Sequence, residues 1–118
     1  MHPQCRYLFT AAMDVDADKE DLFNEVYDTE HVPMLLKVPG VLAVTRFTLI
    51  PLKMSIGGEI KTIVSGSEPK YSATYELESA EVLTSPEWAK AVEAGRWAGQ
   101  VRPFTGNRHH TLRKVMGG

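Results

Sequence analysis

The chain has 118 residues, 43% hydrophobic and 24% charged, which is the size and composition of one globular domain with a two-layer core and too little for two. Its formal net charge of −2 argues against nucleic acid as a partner, because a phosphate-binding face carries a basic excess. The single cysteine, Cys5, leaves no internal disulfide to form and fits a reducing compartment.

Met1–Tyr7 is polar and the run after it is broken by Asp14 and Asp16, so no signal peptide is expected. No stretch approaches the roughly 18 apolar residues of a membrane span. A cytoplasmic protein with no membrane partner is the expectation.

In chain order, residues 6–15 alternate, with Tyr7, Phe9, Ala11, Met13 and Val15 on one face, as a half-buried strand does. Asp16-Ala-Asp18 supplies an N-cap, and Glu20 and Asp21 suit the first turn of a helix. Leu22, Phe23, Val26, Tyr27, Glu30 and Met34 approximate helical spacing, which predicts a helix over about 18–37. Pro33 lacks the N–H that would bond the carbonyl one turn back, so a kink is expected near Thr29–His31. Pro39-Gly40 ends the helix.

Residues 41–50 read as the clearest strand. Val41, Ala43, Thr45, Phe47 and Leu49 form one face, and Leu42, Val44, Arg46, Thr48 and Ile50 the other. Both faces are largely apolar, with Arg46 the one charge. Residues 51–70 form an irregular insertion, in which Gly57-Gly58 and Ser65–Pro69 turn around a strand-like Glu59–Val64. An excursion of this length is expected to cover a pocket or reach a partner subunit.

The second half repeats the logic. Tyr71–Leu77 is a strand with Tyr71, Ala73, Tyr75 and Leu77 on one face, and Ala80–Leu83 is one helical turn. Ser85 caps a helix that starts at Pro86, runs to about Ala94 and stops at Gly95. A turn around 103–107 leads to a last strand, His109–Val115. The order strand-helix-strand-strand-helix-strand predicts a single α+β domain over 1–118, ferredoxin-like, with a four-stranded antiparallel sheet. Two helices on one face leave the other open. The two apolar faces of 41–50 then predict a two-fold homodimer with sheets packed face to face. A monomer whose open face is covered by residues 51–70 is the alternative.

His31 leads the candidates for chemistry. Tyr27 lies four residues earlier and Asp28 three earlier, so both neighbour it on a continuous helix. A carboxylate beside the imidazole holds one tautomer and raises its pKa, leaving the other nitrogen to move a proton near neutral pH. The plain alternative is a histidine packed at the kink made by Pro33. Tyr71 and Tyr75 either orient a ligand oxygen or are core aromatics. Arg46 either neutralises an acidic ligand or pairs across the sheet or a dimer interface. Trp88 and Trp97 are pocket wall or core, and the basic stretch Arg102–Lys114 reads as solvated surface.

No metal or cofactor is expected. His109 and His110 are adjacent on a strand and point to opposite faces. No His, Asp and Glu cluster has ligand spacing, and Gly57-Gly58 lacks the Lys-Ser/Thr and helix of a phosphate loop.

The segment Phe23-Asn-Glu-Val-Tyr-Asp-Thr-Glu-His-Val-Pro-Met-Leu-Leu-Lys-Val-Pro-Gly-Val41 resembles the signature of the EthD-like (ethyl tert-butyl ether degradation) family of dimeric α/β barrel proteins. Tyr71–Ser79, Leu83-Thr-Ser-Pro-Glu-Trp88 and Arg102-Pro103 are similar to it too, so the likeness spans most of the chain except 51–70. It implies a ferredoxin-like fold, a homodimer and a cavity between sheet and helices, and it singles out His31. Wider relatives include cofactor-free monooxygenases, haem-degrading enzymes, lactone isomerases and polyketide cyclases, among which fold-level analogy cannot choose.

The resulting expectation is a small homodimeric, enzyme-like protein that binds an apolar oxygenated molecule. His31 and Asp28 carry proton transfer or cofactor-free oxygenation, a monooxygenase or isomerase/cyclase-like activity. Tyr27, Tyr71, Tyr75, Arg46 and Trp88 contact the substrate. A non-catalytic ligand-binding or accessory protein of the same fold is the competing reading, and a structural dimer with a filled cavity is a third.

Overall fold

The computed structural model describes residues 1–64 and 66–117. Strands β1 (Tyr7–Val15), β2 (Val41–Thr48), β3 (Leu52–Ile56), β4 (Glu59–Ile63), β5 (Tyr71–Leu77), β6 (Thr105–Gly106) and β7 (Thr111–Lys114) fall into two sheets. In the main sheet β2 pairs with β5, β5 with β1, and β1 with both β6 and β7, all antiparallel. The last ferredoxin strand is therefore split in two, and the fold is the ferredoxin-like α+β one that the element order predicts.

The predicted helix over 18–37 is built from four pieces: a 3₁₀ turn at Ala17–Lys19, α1 (Glu20–Val26), a π turn at Tyr27–His31 and α2 (Val32–Leu36). Asp16 makes no side-chain capping bond. The π turn is the local answer to Pro33: the Val32 N–H bonds the Tyr27 carbonyl five residues back, and the coil widens where proline cannot close an α turn.

In the second crossover Ser79 caps a 3₁₀ turn (Ala80–Thr84) and Ser85 caps α3 (Pro86–Ala91). The chain then makes a π turn at Trp97–Val101 and a 3₁₀ turn at Arg102–Phe104, neither of them anticipated. Both crossovers cover one face of the sheet. Phe23, Val26 and Leu35 from the first and Val82, Trp97 and Val101 from the second join one buried cluster with Ala11, Met13, Ala73, Tyr75 and Leu77.

A β-bulge between Val41 and Ala43 reverses the alternation of β2. Val41 pairs with Leu77, while Val44 pairs with Tyr75 and Arg46 with Ala73, so these three face the helices. The two continuous apolar faces expected for 41–50 are thereby corrected. The open side of β2 carries Ala43, Thr45 and Phe47, opposite Glu76, Thr74 and Ser72. Thr45, Thr74, Thr10 and Thr111 make a row of threonines across the open face.

Residues 52–63 are more regular than the sequence suggests. β3 and β4 form a hairpin closed by Gly57 (φ 61°) and Gly58 (φ 82°), the left-handed pair of a type I′ turn. Leu52 faces Ile63 across the ribbon, and Met54 and Ile56 share that side, whereas Lys53, Ser55 and Thr62 lie on the other with Ile60. All are exposed. Ser65, part of the turn expected over 65–69, lies outside the described residues. The projecting ribbon helps to explain a radius of gyration of 16.0 Å, against about 13.5 Å for a compact domain of this length.

Candidate functional site

Between the sheet and the two crossovers lies a cavity of about 190 Å³. Phe9, Ala11 and Met13 of β1 and Tyr75 of β5 form its sheet wall, Tyr27, His31 and Leu35 the first crossover's wall, and Trp88, Val92 and Trp97 the second's. Arg102, Arg108 and His110 complete its lining.

His31 is held by aromatic faces. Its ring stacks on Trp97 at 4.3 Å between centroids and meets the Tyr27 ring edge-on at 4.9 Å. The residue is only 6% exposed, and its buried Nδ1 has no hydrogen-bond partner among the described residues. Burial, with the Arg102 guanidinium adding to it, pushes the imidazole pKa down to about 4. It is a neutral ring at pH 7.

Trp97 reaches His31 because Glu30, on the first π turn, accepts from the Arg96 N–H at 2.9 Å and from its Nε at 2.5 Å. This carboxylate ties the first π turn to the N-cap residue of the second. The Arg96 N–H, and then its guanidinium, hold the Glu30 carboxyl below its usual pKa.

Beside His31, the Tyr27 and Tyr75 hydroxyls share a hydrogen bond of 2.7 Å. One of the two donates, so the pair retains one phenolic proton with no protein acceptor among the described residues. Burial raises the Tyr27 pKa to about 12 and that of Tyr75 well above its ordinary value. Tyr75 also stacks on Phe9 (5.5 Å) and meets Trp88 edge-on (5.5 Å). The site thus presents a neutral imidazole and a pair of un-ionised phenols inside an aromatic wall.

Four of the residues expected to act together are joined here: His31, Tyr27, Tyr75 and Trp88. Three are not. Asp28 bonds the Arg46 Nη1 at 2.8 Å and is largely exposed, so it does not orient His31, and the raised imidazole pKa expected from it is replaced by a lowered one. The π turn is the reason, since its wider coil keeps residue 27 beside residue 31 but rotates residue 28 away.

Arg46, turned inward by the bulge, donates to Asp28 and to Asn24 Oδ1 (2.8 Å each) and lies 4.6 Å over the Tyr27 ring. It is a strut behind the cavity wall. Tyr71 donates to Glu20 Oε1 at 2.7 Å and lies outside the cavity.

Arg102, Arg108 and His110 were missed because a basic stretch with Pro103, Thr105 and Gly106 carries no periodicity. Only the two turns at 97–104 bring it to the cavity. Among the described residues no group of three His, Cys, Asp or Glu side chains is placed to hold a metal ion. Nor, among them, is any helix long and apolar enough to cross a membrane.

No protein-family model matches the sequence, and no curated protein matches it. Solved structures do match the fold. A mutant of MhuD with two manganese protoporphyrin IX molecules per active site aligns at TM-score 0.60 and 15% identity, over 95% of this chain and 96% of that one. The haem degrader MhuD from Mycobacterium tuberculosis, with two haems in its active site, aligns at TM-score 0.58 and 16% identity, over 95% and 97%. An ethyl tert-butyl ether degradation (EthD) family protein from Bacillus halodurans C-125 aligns at TM-score 0.54 and 17% identity, over 93% and 99%. The resemblance carried by residues 23–41 and the three later segments thus meets a solved structure of the EthD family, and the chain shares the ferredoxin-like α+β fold of these structures.

Proposed function

We propose that this protein binds a small, flat, oxygenated organic molecule in the cavity between sheet and helices, with His31 and the Tyr27–Tyr75 pair contacting its oxygens. The carrying observation is a nine-tenths-buried neutral histidine, without a protein partner for its buried Nδ1, in an aromatic wall. A neutral imidazole and an un-ionised phenol offer a hydrogen-bond acceptor and a donor, which suits a phenol, enol or carbonyl. An imidazole whose pKa lies near 4 is a weak base at neutral pH. That favours ligand holding over proton transfer, the reverse of the preference drawn from the sequence. Proton abstraction from an acidic enol or phenol is the second reading.

Haem, which MhuD carries, is a test of fit. A neutral imidazole suits iron, but about 190 Å³ lies below the roughly 300–1,000 Å³ of sites for drug-sized ligands. A single substituted ring suits a cavity of this size better than a tetrapyrrole does.

The functional unit in this reading is a homodimer. The threonine row and the exposed Phe47 leave the open sheet face without a cover, and Leu52, Met54, Ile56 and Ile63 are bare on one side of the β3–β4 ribbon, which they share with Glu59 and Lys61. Both suit a second copy.

The test is thermal unfolding of wild type and His31→Gln with phenols, quinones and lactones, and with haem as the compound expected not to bind. A ligand at a hundred times its Kd stabilises by about 2.7 kcal/mol, a shift of several degrees. A compound that stabilises wild type and affects His31→Gln less supports the site. If no compound shifts the wild type and His31→Gln alone melts much lower, His31 is a packing residue and the reading fails.

A further inference from the structure

We propose that the cavity selects an aromatic acid, with its ring between the aromatic walls and its anionic group on Arg108. The inference rests on the reading of the cavity as a ligand site, and adds the charge of the ligand. Three other arginines are already neutralised: Arg46 holds Asp28, Arg96 holds Glu30, and Arg102 holds Glu93 through Nη1 at 2.9 Å. Arg108 holds no carboxylate among the described residues. Its Nη2 donates to Thr105 Oγ1 at 2.6 Å and to the Arg102 carbonyl at 3.3 Å. The guanidinium of this solvent-exposed residue is thereby anchored on one edge, while Nη1 and Nε have no protein acceptor among the described residues. A planar fork with an open edge is suited to a carboxylate.

The surroundings point the same way. No Asp or Glu lines the cavity, so nothing there repels an anion. His110 accepts the Ala12 N–H on Nδ1 at 3.3 Å, so the neutral ring carries its proton on Nε2 and is a second donor in the same lining. Size bounds the ligand. A dry cavity of about 150 Å³ admits benzene, so one of about 190 Å³ takes a single substituted ring. His31 and the tyrosine pair, in the same lining, supply its other polar contacts.

The chain's two tryptophans, Trp88 and Trp97, both line the cavity, so intrinsic fluorescence reports occupancy directly. The experiment titrates 3- and 4-hydroxybenzoate and their neutral methyl esters into wild type, Arg108→Gln and Arg108→Lys. The expected result is that wild type binds the acids roughly tenfold more tightly than the esters. Arg108→Gln brings the two within about twofold, and Arg108→Lys keeps part of the preference. Esters bound as tightly as acids by the wild type overturn the anion site and leave the cavity reading intact. An acid preference that persists in Arg108→Gln overturns the assignment to Arg108. Quenching by neither class overturns the inference, and the cavity reading falls with it only if no phenol, quinone or lactone stabilises the wild type in the unfolding test.

Discussion

His31 lies in a place that suits its neutral form and penalises its charged one. Because its folded pKa is lowered to about 4 from the ordinary 6.5, the unfolded chain binds the proton first as pH falls. Stability contributed by this group is whole above about pH 6.5 and is lost towards pH 4, roughly 3 kcal/mol across the window. We predict that the difference in unfolding free energy between wild type and His31→Gln shrinks over that window in urea titrations at stepped pH. A difference that stays flat removes the buried neutral histidine. The tyrosine pair is the other residue-scale test. Tyr27→Phe or Tyr75→Phe leaves one buried hydroxyl without its 2.7 Å partner, at a cost of about 1–3 kcal/mol each. The double substitution is predicted to cost less than the two singles added, and additivity in this cycle would show that the bond contributes nothing.

At the scale of elements, two π turns facing each other build the site, and Glu30 ties them. We predict that Glu30→Ala loosens Trp97 from His31 and raises the His31 pKa towards its ordinary value, read by NMR titration of the imidazole. An unchanged titration shows that packing alone seats the tryptophan. α3 depends on its cap: Ser85 Oγ accepts the Trp88 N–H at 3.2 Å, and Ser85→Ala is predicted to cost about 1 kcal/mol. Gly40 has φ +90°, and a Cβ there would run into the Val82 side chain, so Gly40→Ala destabilises through both strain and clash.

At the scale of the molecule, the open face and the ribbon are the surfaces on which the proposed dimer rests. We predict a mass in solution of twice the 13.1 kDa chain by light scattering. Phe47→Asp, on the threonine face, is predicted to shift the mass to one chain and to expose the β3–β4 amides to hydrogen exchange. A wild type of single-chain mass, with the ribbon exchanging freely, sinks the dimer.

Much of this was legible in one dimension. Alternation in Tyr7–Val15 and Tyr71–Leu77, the proline-strained helix after Asp18 and the cap at Ser85 determine a ferredoxin-like domain, because each is a local rule of backbone geometry, although the helix after Ser85 ends at Ala91 and not near Ala94 before Gly95. The same local reading placed His31, Tyr27, Tyr75 and Trp88 among the candidates. What only the tertiary structure decided was which side chains meet. A one-residue bulge at Val41/Ala43 and a π turn at Tyr27–His31 each shift side-chain direction by a fraction of a turn. Those shifts turn Arg46 inward, carry Asp28 to it and away from His31, and leave the imidazole to tryptophan. The segment 97–110, aperiodic in sequence, enters the site only through contacts distant along the chain. Periodicity records the burial of a face, whereas a binding site is set by where irregular turns end.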